Sequence, residues 1–230
     1  MDGIGKKKKI REKIEVFSFI LILCFVYLNF EPVVVNAISD IKEYDTIIVT
    51  QGVTSEITIT HPGNPEPMSP TIAGMSGGVG DGSASWTVVT NDTSGFNMKI
   101  KSLTSPALQT GIYSFADYSE VASGTPDFTW GISAADSEFG FTVEPATASD
   151  TVQAFKDNGT ICGGTGTANA SNTCWDGLST TDIDIINRPN ITSAAGETET
   201  VRFRAQSGVS HYQAEGAYTA TITVTATING

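Results

Sequence analysis

Histidine is nearly absent from this sequence: 230 residues contain two, His61 and His211. No pair sits at the i, i+4 spacing that holds zinc on a helix. His61 lies in a Pro-rich stretch and His211 precedes Tyr212 on the approach to the last strand. Both read as surface polar residues rather than a catalytic base or a metal ligand. Gly74-Met75-Ser76-Gly77-Gly78 matches the letters of a Gly-x-Ser-x-Gly elbow, but the elbow that serves a Ser-His-Asp set joins a strand to a following helix, and no helix pattern follows here. Gly77-Gly78-Val79-Gly80-Asp81-Gly82 is glycine-rich, but a phosphate cradle needs a strand before it and a helix after it. A strand follows instead, so the run reads as a flexible turn. No catalytic constellation is visible, and no cofactor is implied.

Basic side chains are also scarce, with 13 Lys+Arg against 25 Asp+Glu. Six of the former and four of the latter fall in residues 1–37, leaving seven against 21, a net −14, in residues 38–230. Such a surface repels nucleic acid and anionic lipid. It suits an exposed protein, or one that collects divalent cations. Calcium takes hard oxygen ligands, and Asp81, Asp136, Glu138, Asp182 and Asp184 are the weak candidates to supply them. None belongs to a twelve-residue EF loop.

The third scarcity is cysteine, with three residues. Cys24 lies in an apolar run, roughly 16–28, preceded by Lys6-Lys7-Lys8-Lys9, Arg11 and Lys13 and followed by Val35-Asn36-Ala37. Basic head, apolar middle and small-residue exit are the layout of a secretory signal peptide over 1–37, with cleavage between Ala37 and Ile38. Spanning a bilayer takes about 20 apolar residues. The run is shorter, and Asn29, Glu31 and Pro32 interrupt its extension. A retained anchor is the alternative, and membrane contact is expected only through this segment before cleavage. Cys162 and Cys174 remain as an even pair in an oxidising setting and read as a disulfide that cinches a polar loop. A loop of this length contributes roughly 3 kcal/mol in the chain-entropy model. Trp175 follows it in polar sequence and is the weak candidate for a binding aromatic.

What is abundant is period-two alternation. Over residues 218–228 the even positions are Tyr218, Ala220, Ile222, Val224, Ala226 and Ile228, and every odd one is threonine. One face is expected to be buried and the other to form a threonine ladder open to water. Shorter alternations predict strands at 47–49, 57–59, 86–90, 96–100, 128–132, 139–143, 183–185 and 201–205, with at most a short helical turn near Ser149 and Asp150. About nine short strands indicate an all-β, two-sheet antiparallel sandwich, Ig-like or jelly-roll-like, preceded by the signal helix. Trp86, Phe96, Phe128, Trp130, Phe139, Phe141, Phe203 and Tyr218 are its expected core. The organisation read is signal peptide 1–37, strand pair 38–60, Pro/Gly-rich loop or linker 61–83 and sandwich body 84–230, with 38–230 as one domain.

Two stretches carry a resemblance. Trp86-Thr87-Val88-Val89-Thr90-Asn91 with Gly95-Phe96 and Lys99-Ile100 is one, and the run from Glu215-Gly216-Ala217-Tyr218 to Thr227 is the other. Together they resemble uncharacterised secreted single-domain β-sandwich proteins of bacteria, of the candidate-phyla type. The terminal Gly-x-Tyr and alternating strand are distantly similar to spore-coat-U-like and chaperone–usher pilin-like domains. That resemblance implies surface coats or fibres assembled by strand exchange. The function expected is therefore a secreted or cell-surface structural protein, a coat or fibre subunit, with other copies or other surface proteins as partners. One variant has residues 38–60 pairing with a neighbour by β-augmentation. The alternative is an extracellular glycan- or ligand-binding sandwich, and a hydrolase comes third.

Overall fold

A computed structural model describes residues 48–230, except 62, 64 and 65. The predicted signal segment, its cut at Ala37 and Ile38, and Ile47 lie outside the described residues. By internal contact the chain divides into residues 1–51 and 52–230, and every strand named below belongs to the second unit.

Alternation gives strands wherever one face can be covered. Eleven form among the described residues: β1 Ile57–Thr60, β2 Gly78–Thr90, β3 Phe96–Ser102, β4 Gln109–Thr110, β5 Tyr113–Ser114, β6 Ala116–Asp117, β7 Ser137–Pro145, β8 Asp176–Gly177, β9 Ile183–Arg188, β10 Glu197–Ser207 and β11 Ile222–Ile228. The larger sheet runs β1-β2-β10-β7-β6, with β8 also on β7, and the smaller runs β11-β3-β9. Every pairing is antiparallel except β6 with β7. This is the all-β antiparallel sandwich that the alternation predicts.

The inward sets match the two-residue period. Phe96, Met98 and Ile100 of β3, Val201, Phe203 and Ala205 of β10, Phe139, Phe141 and Val143 of β7 and Ile185 and Ile186 of β9 make one buried cluster. On the opposite faces stand Asn97, Lys99 and Lys101, and Thr198, Thr200, Arg202 and Arg204, which stay in contact with water. Strand β7 departs from this rule. Gly140 and Thr142, on its outer face, are buried as well, because the 118–131 and 157–175 segments lie across them. A Cβ at Gly140 would stand 2.6 Å from the Asp176 carbonyl oxygen and 2.7 Å from the Tyr118 Cβ, so only glycine admits this approach.

Four strand expectations need correction. The 61–83 loop ends early, because β2 begins at Gly78. Its glycine run is ladder rather than flexible turn. Gly80 and Gly82 lack side chains because a crossing segment sits on them: a Cβ would meet the Pro70 carbonyl oxygen at 2.9 Å and Met68 at 3.1 Å. Residues 128–132 form no strand; Trp130 instead lies on Tyr118 and donates its indole N–H to Gln206 at 2.6 Å. Residues 48–50 form no strand either. The terminal strand starts at Ile222 rather than 218. Thr219 makes an isolated bridge to Gln109, and the Tyr218 hydroxyl is turned aside to the Ala214 carbonyl.

The β2–β3 turn rests on Gly95, which has φ of +82° and lies so close to the Arg188 carbonyl oxygen that a Cβ would overlap it. Its own carbonyl accepts the Asn229 N–H at 3.0 Å. Gly95→Ala is therefore expected to lower unfolding free energy by about 2 kcal/mol. Chemical denaturation checks this, and an unchanged midpoint would contradict the tight approach.

Candidate functional site

The residues with chemical potential fall into three groups, each built by a different part of the fold. The first is the loop closed by Cys162 and Cys174, whose disulfide spans a Cα–Cα distance of 5.6 Å. Two 3-10 turns, Ala148–Asp150 and Gln153–Phe155, lead into it. Its hub is Asp157, 2% exposed. The carboxylate accepts the N–H groups of Gly159 at 2.9 Å and Ala170 at 2.8 Å, and the Thr173 hydroxyl at 3.4 Å. The backbone of Asp157 bonds Thr167 and Ala168. Polar sequence thus packs by turning its donors inward onto one acid. Trp175 is 0% exposed, its indole N–H donating to the Asn172 carbonyl at 3.0 Å. Trp130 meets its edge and the Arg204 guanidinium lies 4.5 Å from its ring centre. The candidate binding aromatic is therefore closed to a ligand. It anchors the loop to the outer face of the larger sheet.

The second group is an acid pair beside that anchor. Glu120 and Asp176 share a hydrogen bond, and both accept the Gly177 N–H, at 3.1 and 2.8 Å. Burial, then the bond to Glu120 and its negative charge, push Asp176 up to about 8. Two carboxyls this close disfavour carrying two negative charges at once. Nearby the Tyr118 hydroxyl donates to Asp127 at 2.9 Å. Residues 56 apart in sequence carry no spacing signal, so sequence reasoning missed this pair.

The calcium candidates do not converge. Asp81 takes both ends of the Arg204 fork, at 2.6 and 3.1 Å. Asp182 faces Lys101 at 3.1 Å and Asp184 faces Lys99 at 3.2 Å. Glu138 accepts the Ser119 N–H, and Asp136 is exposed. Among the described residues no group of three or more His, Cys, Asp or Glu side chains is placed to hold a metal ion. The histidines are likewise engaged with separate segments. His61 stacks on Trp86 and reaches the Ser85 carbonyl at 3.0 Å, while His211 reaches the Ala135 carbonyl at 2.9 Å.

The third group is backbone: the outer edge of β11. Parts of other sheet edges are covered, although β1 carries no described strand on its outer side and lies near β11 without pairing with it. Ser69 exchanges two bonds with Asp81 on β2, and Val152 donates to Ile185 on β9 at 3.0 Å. Strand β7 carries β6 and β8. On β11 the Leu103 N–H donates to the Thr221 carbonyl and the Asn229 N–H to that of Gly95. With Ile222 opposite Ser102, the odd positions thus bond β3. The backbone groups of Ile222, Val224, Ala226 and Ile228 face the other way, where no described strand pairs with them. The odd-numbered threonines from 219 to 227 are all exposed, as the alternation predicts, while Ile222, Val224 and Ala226 are only half-buried. Proline, charge and bulge, the usual protections of an edge, are all missing from β11.

Comparison with family models, with curated proteins and with solved structures finds no match to this chain.

Proposed function

We propose that this chain is an exported protein of the cell surface that builds a coat or fibre. The observation that carries the reading is the uncharged, unpaired outer edge of β11, a strand without proline or bulge. Unprotected edges are templates for association, and proteins that remain dispersed blunt them. Export is supported by two features: the basic and apolar order of residues 1–37, and the Cys162–Cys174 disulfide, a bond that persists in oxidising compartments. Among the described residues no helix is long and apolar enough to cross a membrane.

The expected donor role of residues 38–60 does not extend to 57–60. Those residues are β1, paired with Thr87–Thr90 of their own chain. The binding-module reading is less well supported, since Trp175 is enclosed, Trp86 is covered by His61 and Trp130 is stacked on Tyr118.

Fractionation of producing cells, with electron microscopy of the exported protein, tests the reading. The expected result is oxidised protein on the envelope or in filaments. Reduced protein confined to the cytosol would refute it.

A further inference from the structure

We propose that the partner of the β11 edge is the β11 edge of a second copy, paired antiparallel about a twofold axis through Thr225. This rests on the assembly reading above and adds its interface.

The strand is its own complement. Reading outward from Thr225, Val224 meets Ala226, Thr223 meets Thr227 and Ile222 meets Ile228. All seven residues of β11 find partners in this register. Hydrogen-bonding parity agrees independently. Antiparallel neighbours exchange bonds only where both residues direct their backbone groups toward the shared edge. Those residues are the even ones, and the register pairs even with even: Ile222 with Ile228 and Val224 with Ala226, each twice by symmetry.

Side chains agree as well. Opposite residues in an antiparallel pair share a face. The half-buried Ile222, Val224 and Ala226 would thus cover one another across the seam. The threonines would form close cross-strand pairs on the outer face, a favoured combination. Two copies would join their three-stranded sheets into one of six.

Charge selects the occupant. The whole chain is net −12, yet residues 216–230 contain no charged side chain. A second copy can therefore approach here without opposing like charges at the contact, which would be costly in most of this acidic sequence. Such a contact is isologous and closes as a dimer, so it supplies the building block of a coat or fibre and not the contact that propagates it.

The test uses three variants of the exported protein. Thr225 is exposed and sits on the axis, so Thr225→Cys is expected to give a covalent dimer on mild oxidation, whereas Thr223→Cys alone is not. The N–H of Ala226 faces the open edge and not β3, so Ala226→Pro leaves the chain's own ladder intact. It is expected to raise the dimer dissociation constant by about tenfold or more, with an unchanged circular dichroism spectrum. A wild-type protein monomeric at the highest attainable concentration would overturn the pairing, as would equal linking by Thr223→Cys. Linking of Thr225→Cys to a Val49→Cys chain, and not to itself, would overturn it by assigning the edge to a neighbour's N-terminal segment. A twofold dimer found free in the medium would sink the coat reading and leave the pairing standing. A coat or filaments in which Thr225→Cys does not link to itself would do the reverse.

Discussion

Asp157→Ala is expected to lower the unfolding free energy by about 4 kcal/mol, more than opening the disulfide beside it. The acid is 2% exposed and takes the N–H groups of Gly159 and Ala170. Gly159 and Ala170 are themselves exposed, so the loss is that of two hydrogen bonds to a carboxylate, at about 1.5–3 kcal/mol each. The Thr173 hydroxyl keeps a second acceptor in the Ala170 carbonyl, at 2.7 Å, and so adds little. Asp157→Asn retains one acceptor oxygen and is expected to fall between the two. Removing the bridge with Cys162→Ser and Cys174→Ser deletes a cross-link of sequence separation 12, worth about 3 kcal/mol in the chain-entropy model. The two changes act on one loop, so their combination is expected to be less than additive. Denaturant titration gives the energies, and limited proteolysis under non-reducing conditions shows whether 158–173 opens while the disulfide holds. A loss below about 1 kcal/mol would mean that the freed N–H groups reach water, and that the loop is held by its bridge alone.

The contrast between Asp157 and the terminal strand explains what could be read in advance. In β11 burial is set by neighbours two residues apart, so the burial of alternate positions was written in Ile222, Val224 and Ala226 and in the threonines between them. The same holds for Phe96, Met98 and Ile100, and for Val201, Phe203 and Ala205. The disulfide was legible because, with Cys24 assigned to the signal segment, the two remaining cysteines allow one pairing. Asp157 was not, because its partners are backbone groups of a loop whose path depends on the bridge. Trp175 gave the wrong impression for a related reason: polar neighbours implied exposure, whereas the loop folds back and places the ring on the larger sheet. Residues 128–132 show the limit of the period itself. Phe128, Trp130 and Ile132 alternate, but no described strand pairs with that segment, and Trp130 is held by side-chain contacts instead. The glycines of β2 failed in the opposite direction. They look like turn and are strand, because the segment crossing them requires the missing side chains.

A buried carboxyl at the other end of β10 has a consequence readable in stability against pH. Glu199 points into the sandwich and is 1% exposed. Three charged groups face it: Asp150 from the turn before the loop, Glu197 from its own strand and Arg188 from β9. The guanidinium is already engaged, with Asp150 at 2.6 Å and Glu197 at 3.1 Å. Neither carboxyl oxygen of Glu199 has a hydrogen-bond partner among the described residues. Burial, then repulsion from Asp150 and Glu197, push the group up to about 7, with Arg188 opposing. The folded protein therefore holds a proton that the unfolded chain releases near 4.5. Where the folded state binds more protons, stability falls as pH rises. The contribution is whole below about pH 4.5 and is lost through pH 7, a change of about 3 kcal/mol. Glu199→Gln keeps the shape and removes the titration. Its stability is expected to match the parent near pH 4.5 and to exceed it by about 3 kcal/mol near pH 8.5. Taking the difference between the two proteins cancels the titration of Asp176 and the general repulsion of an acidic surface, both common to the pair. Parallel curves across that range would show Glu199 ionised throughout, which requires a partner for its oxygens that Arg188 does not supply.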